Sequence, residues 1–169
     1  MVKINYVICT HNDLDGFCCG AILLRQYPEA KVFFATPNSL YKTLYRIKHS
    51  LVEEIKNHMF ICDITLDGQT VNRINQALRY IRKDYRFDFT WIDHHNWPLE
   101  ESSLGNYEKI WDPTQKSAAI LIQKYTDPDA NFEFVNMAEG IASFKERQSE
   151  NNDLILSNRF TDISSIIKN

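Results

Sequence analysis

Ile4-Asn5-Tyr6-Val7-Ile8-Cys9-Thr10-His11-Asn12-Asp13-Leu14-Asp15-Gly16 changes character abruptly. An apolar, β-branched run suited to a buried strand gives way within two residues to an imidazole and two carboxylates, and then to a glycine. Gly16 to Tyr27 continues with helical spacing of apolar residues until Pro28 stops it. A strand that delivers acidic side chains at its end and then enters a helix is the opening unit of an α/β fold.

The same alternation recurs downstream. Lys31 to Ala35 reads as a second strand, and Ser39 to His58 as one long amphipathic helix with Leu40, Leu44, Ile47, Leu51 and Ile55 at helical intervals and Ser39 as its N-cap. Met59 to Ile64 reads as a third strand carrying Asp63 at its end. Gly68 to Tyr85 is a helix with Val71, Ile74, Leu78 and Ile81 on one face, and Phe87 to Ile92 a fourth strand ending at Asp93. Tyr107 to Trp111 is a short fifth strand, followed by a helix over Ser117 to Tyr125. A further helix is expected over Asn131 to Arg147, with a polar break from Gln148 and a last helix from Asp153. The expected architecture is an open, mainly parallel Rossmann-like sheet of about five strands, helices on both faces, right-handed crossovers and a helical C-terminal region. The 169 residues are expected to form a single domain.

Composition narrows the function. The net charge is −3, so the broad basic field needed to hold long nucleic acid non-specifically is absent. A small anionic substrate remains compatible, because bound metals supply local positive charge. The four cysteines, Cys9, Cys18, Cys19 and Cys62, form no C-x-x-C pair and sit in apolar surroundings, which points to packing and a reducing, cytoplasmic setting. No signal-peptide pattern opens the chain and no apolar stretch approaches membrane-spanning length, so no membrane association is expected.

The chemistry gathers at strand ends. Asp13 and Asp15 follow the first strand, Asp63 the third, and Asp93-His94-His95 the fourth. Each has a plain structural role open to it: Asp15-Gly16 as a helix cap, Asp63 as a turn residue, His94-His95 as loop. Occurring together and in order, they converge on the rim beyond the carboxyl ends of a parallel sheet, where ligands bind in such folds. Carboxylates and imidazoles packed together need a cation or a set of donors among them. Hard oxygen donors with a few imidazoles suit two Mn²⁺ ions, with Mg²⁺ a second choice, and the matching reaction is in-line attack of an activated water on a phosphodiester or phosphoanhydride.

These motifs resemble the DHH phosphoesterase family, whose members include RecJ-like exonucleases, oligoribonucleases, cyclic dinucleotide phosphodiesterases and pyrophosphatases. The resemblance rests on Thr10-His11-Asn12-Asp13-Leu14-Asp15-Gly16, Cys62-Asp63-Ile64-Thr65 and Ile92-Asp93-His94-His95, and covers the chain to about residue 120. It implies that His11, Asp13 and Asp63 hold one manganese, and that Asp15, Asp63 and His94 hold the other, with Asp63 bridging. It also implies that Asp93 and His95 orient His94 and face substrate, with Asp93, His94 and His95 as the catalytic set. Ser117 resembles the small hydroxyl residue at this rim, where the start of a helix receives a phosphate; a plain N-cap is its other reading.

Two features depart from the family pattern. Ser143 stands where members carry a fourth-motif Asp, with Glu146 and Asp153 as possible replacements, and the family's C-terminal substrate-binding domain has no counterpart in this sequence. The expectation is a manganese-dependent phosphoesterase acting on a short nucleotide or single-stranded oligonucleotide, with a homodimer or partner subunit supplying the missing domain. The rival expectation is a catalytically weak DHH scaffold in a nucleic-acid processing complex. A pyrophosphatase ranks third, because that branch has a longer gap between His11 and the first Asp than the single Asn12. Tyr41, Tyr45, Trp97 and Trp111 are available for base stacking as well as for packing.

Overall fold

A computed structural model describes residues 3–97 and 104–128. In chain order the elements are β1 (Ile4–His11), α1 (Leu14–Gln26), β2 (Lys31–Ala35), α2 (Leu40–Ile47), β3 (Lys56–Cys62), α3 (Val71–Asp84), β4 (Phe87–Asp93), β5 (Glu108–Trp111) and α4 (Ala118–Thr126). The five strands form one sheet in the order β2-β1-β3-β4-β5, and every pairing is parallel. This is the expected α/β, Rossmann-like architecture.

Alternation along the strands builds two cores. Val7, Cys9, Met59, Ile61, Phe89 and Trp91 face one side, where Leu40, Leu44 and Ile47 of α2 and Ile74, Leu78 and Ile81 of α3 cover them. Ile8, Phe60, Cys62 and Ile92 face the other, beneath Leu14, Cys19, Ile22 and Leu23 of α1 and Ala119 and Ile122 of α4. The chain steps from β1 outward to β2, then back across β1 to β3 and on to β4. Right-handed crossovers running in opposite directions across a sheet place their helices on opposite faces, so α1 lies on one side and α2 and α3 on the other. The carboxyl ends of β1 and β3 flank the point where the direction reverses, the place where parallel α/β sheets bind ligands.

The expected long helix over Ser39 to His58 is corrected. α2 stops at Ile47, a 3₁₀ turn spans Lys48–Ser50, and Leu51 is extended. Leu51 and Ile55 keep the helical spacing, but Lys56 to His58 are drawn into β3, where Lys56 pairs with Ile4 and Asn57 with Phe87. Asn57 fixes the change. Its buried side chain accepts from the Val52 amide (2.9 Å) and donates to the carbonyls of Val52 (2.8 Å), Ile55 (3.2 Å) and Arg86 (3.2 Å), a network that a helix would break.

Smaller corrections have similar causes. Ser39 occupies the N-cap position of α2, but its hydroxyl turns back to accept from the Thr36 amide at 2.8 Å. Residues 68–70 form a turn ahead of α3, in which Asp67 accepts from the Gln69 amide. β3 ends at Cys62, leaving Asp63 outside the ladder. The helices expected over Asn131 to Arg147 and beyond Asp153, with the polar break at Gln148, lie outside the described residues. All four cysteines are buried free thiols, as expected, and burial pushes those of Cys9 and Cys18 up to about 12. No helix among the described residues is long and apolar enough to cross a membrane.

Candidate metal centre

β3 is the middle strand, so its end lies between the ends of β1 and β4. That fixes Asp63 at the centre of the cluster. On one side, His11 closes β1 and Asp13 caps α1, accepting from the Gly16 amide at 3.1 Å. On the other side, Asp93 closes β4 and is followed by His94 and His95. His11 Nδ1 lies 3.2 Å from Asp13 Oδ2 and 3.8 Å from Asp63 Oδ2. The opposite oxygen, Asp63 Oδ1, is 3.5 Å from His94 Nε2 and 3.8 Å from His95 Nδ1. Two groups of ligand-type atoms result, His11–Asp13–Asp63 and Asp63–His94–His95, each gathered within 4.8 Å and sharing Asp63.

Asp63 is under conflicting demands. Its φ is +57°, the left-handed region that Asp tolerates at a cost of order 1 kcal/mol. It is 2% exposed, and both its carboxylate oxygens, like His11 Nδ1, are buried without a hydrogen-bond partner. Burial drives its carboxyl well above the ordinary range. The neighbouring His94 opposes that shift, and the Asp15 and Asp13 carboxylates add to it. A desolvated carboxylate with two open oxygens and two flanking ligand sets is the donor arrangement that a divalent ion satisfies. The residues therefore fit a metal.

The surrounding hydrogen bonds set which nitrogen each histidine offers. His94 Nδ1 is 3.1 Å from the carbonyl of Gln115, an acceptor, so Nδ1 carries hydrogen and Nε2 turns to Asp63 and Asp15. Burial disfavours the imidazolium of His94, but Asp63, the Gln115 carbonyl and Asp15 outweigh it and push its pKa up to about 9. His95 Nδ1 donates to Asp93 Oδ1 at 2.8 Å, and Trp97 Nε1 donates to Asp93 Oδ2 at 2.5 Å, so the fully buried Asp93 is satisfied.

Asp15 departs from the sequence expectation in part. Its Oδ2 is 3.6 Å from His94 Nε2, within the cluster, yet its oxygens accept from the amides of Ala118 (2.8 Å) and Ala119 (3.1 Å) at the start of α4. Burial raises its carboxyl and those two amides oppose the rise. The helix end expected to receive a phosphate beside Ser117 is thus filled by a carboxylate of the chain itself. Ser117 is fully buried and its hydroxyl accepts from the Ile120 amide at 3.4 Å, the plain N-cap role. The structure thus brings together His11, Asp13, Asp15, Asp63, Asp93, His94 and His95, while Ser117 is buried at the N-cap of α4. Ser143, Glu146 and Asp153 lie outside the described residues.

Gln115 and Trp97 hold the site but carried no sequence signal for that role. Gln115 acts through a backbone carbonyl, which residue identity does not reveal. Trp97 acts through an indole N–H on a loop. Gly16 has a steric role: a Cβ there would lie 2.1 Å from the His11 carbonyl oxygen, so the strand-to-helix turn closes only on glycine.

No protein-family model and no curated protein sequence matches the chain. Among solved structures, an uncharacterised protein from Helicobacter pylori G27 matches with a TM-score of 0.60 at 15% identity, over 78% of this chain and 38% of that one. A pGpG-specific phosphodiesterase, PggH, from Vibrio cholerae matches with a TM-score of 0.43 at 18% identity, over 82% of this chain and 36% of that one. The chain thus spans well under half the length of these two neighbours, and the first of them shares its fold.

Proposed function

We propose that this chain is a DHH-type phosphoesterase domain that hydrolyses a phosphodiester in a short nucleotide or single-stranded oligonucleotide, using two divalent cations, Mn²⁺ or Mg²⁺. The observation that carries the proposal is Asp63, whose two open, buried oxygens each face a separate set of ligand atoms. The three motifs that resemble the family converge on that residue.

His11 and Asp13 with Asp63 would hold one ion, and His94 with Asp63 and Asp15 the other. Asp15 serves better than His95 in the second set, because His95 Nδ1 is committed to Asp93 while Asp15 Oδ2, the oxygen facing His94, retains a lone pair beyond its bond from the Ala118 amide. Such ions supply Lewis-acid chemistry, lowering the pKa of water and offsetting charge on a phosphoryl group. The chain's own residues do the rest. Gln115 presents His94 in the ligating tautomer. Asp93, held by Trp97, fixes His95, whose half-exposed ring has Nε2 available to place or supply a proton at the phosphate oxygens.

The test is Mn²⁺-dependent release of mononucleotide from a labelled dinucleotide and a short single strand, with Asp63→Asn and Asp93→Ala as controls. Cleavage that needs the metal and is lost in both variants supports the reading. Cleavage that survives chelation or Asp63→Asn overturns it. A folded, metal-loaded chain with no cleavage at all returns the protein to the scaffold role.

A further inference from the structure

β5 is an edge strand, and Trp111, its last residue, stands on the same rim as the candidate metal centre, in register with Asp93. Trp111 is 40% exposed. A single exposed tryptophan is ordinary. This one is held by directional contacts. Its Nε1 donates to the carbonyl of His95 at 2.7 Å, and Lys109, two residues back on the same strand, places its ammonium 4.4 Å from the ring centroids of both Trp111 and Trp97. Trp97 in turn packs edge-on against the buried Trp91, with centroids 5.2 Å apart, and donates to Asp93. Two indoles and one ammonium thus form a wall whose N–H groups are fixed on Asp93 and His95.

We infer that the exposed face of Trp111 is a stacking platform for the nucleobase next to the phosphate. The substrate class would then be a nucleotide or oligonucleotide rather than inorganic pyrophosphate or polyphosphate, an inference that rests on the phosphoester reading of the metal centre. A ring already held by hydrogen bond and cation–π contact has little left to lose on ordering, so stacking on it is favourable. The Lys109 ammonium adds positive charge beside the carboxylates of the rim. An inorganic phosphate has no π-face for this wall to recognise. The exposed indole would have no use in binding it.

The experiment is calorimetric titration of the 169-residue chain with GMP and, separately, with inorganic pyrophosphate, both in the presence of Mn²⁺. Wild type, Trp111→Leu and Trp111→Phe are compared after thermal unfolding confirms that all three are folded. Trp111→Leu is expected to weaken GMP about tenfold, in line with the loss of one stacked base, while Trp111→Phe keeps most of the affinity and pyrophosphate binding is unchanged in both. Equal GMP affinity in wild type and Trp111→Leu overturns the platform and leaves the phosphoester reading intact. Equal weakening of GMP and pyrophosphate overturns it as well, since Trp111 would then act only by supporting His95. If neither probe binds wild type, the reading of the metal centre fails, and the platform with it.

Discussion

Asp63 Oδ1 and His94 Nε2 face each other at 3.5 Å from the ends of two neighbouring parallel strands. The Asp63 carboxylate is buried with both oxygens open. The Nε2 of His94, turned inward by the Gln115 carbonyl, has only carboxylates before it. In the absence of a cation the pair holds protons more tightly than either group would in water.

Neutralising Asp63 should separate stability from function. Asp63→Asn keeps a residue that tolerates positive φ and removes a desolvated charge. In chelator the variant should be more stable than wild type by about 1–2 kcal/mol, with Mn²⁺ binding lost. Urea unfolding with and without Mn²⁺ measures both. A destabilised variant would mean that Asp63 is already satisfied in the free protein.

The pH dependence has a definite sign. His94 and Asp63 both have folded-state pKa values above their unfolded ones, so their contribution to stability is present at low pH and lost as pH rises. For His94 the loss falls between about 6.5 and about 9. The metal-free protein should therefore lose melting temperature across that window. Mn²⁺ must displace these protons, so its affinity and the stabilisation it confers should rise over the same range, with proton release on binding. Melting curves at pH 6 and pH 9, with chelator or Mn²⁺, decide the matter. A Mn²⁺ effect that is larger at pH 6 contradicts it.

Asp15 joins the candidate metal centre to α4, and its two roles can be separated by substitution. Asp15→Ala removes the partner of the Ala118 and Ala119 amides and should cost about 1–2 kcal/mol. Asp15→Asn keeps one acceptor and should recover part of that loss without restoring tight Mn²⁺ binding. Denaturant unfolding beside metal titration tests the split, and equal stability of the two variants would show that the cap contributes nothing.

Gly16→Ala should be among the most damaging single-methyl changes. The added Cβ meets backbone, at 2.1 Å from the His11 carbonyl oxygen and 2.6 Å from its carbon, and neither atom can move without shifting the end of β1. A cost of about 3 kcal/mol is expected, with weakened metal binding because His11 and Asp13 move together. Gly20→Ala, whose nearest neighbours are side-chain methyls at 3.6 Å and beyond, is the tolerant control.

His95→Gln should leave Mn²⁺ affinity near the wild-type value, since the His95 Nδ1 proton is committed to Asp93. Turnover should fall by about a hundredfold if its ring handles a proton at the phosphate. Steady-state kinetics beside metal titration measure this, and loss of the metal in this variant would place His95 among the ligands.

Much of this protein is determined by local sequence. Apolar runs ending in Asp or His, separated by helical spacing, determine a parallel α/β sheet and put Asp13, Asp15, Asp63 and Asp93 at the ends of its strands, because period and chain direction are properties of neighbouring residues. The helix over residues 39–58 shows where that reading stops. The apolar period continues through Leu51 and Ile55, yet α2 stops at Ile47, and the pairing of Lys56 with Ile4 and the Asn57 network hold the following residues out of a helix. Strand order is equally non-local. It makes β3 central and so makes Asp63, rather than Asp15 or Asp93, the carboxylate between two ligand sets. The assignment of the α4 amides to Asp15, across more than a hundred residues of chain, also comes from packing, as does the tautomer of His94 set by the Gln115 carbonyl. Residue identity supplied the chemical groups; long-range packing decided which of them are desolvated, which are satisfied, and which are left facing a cation.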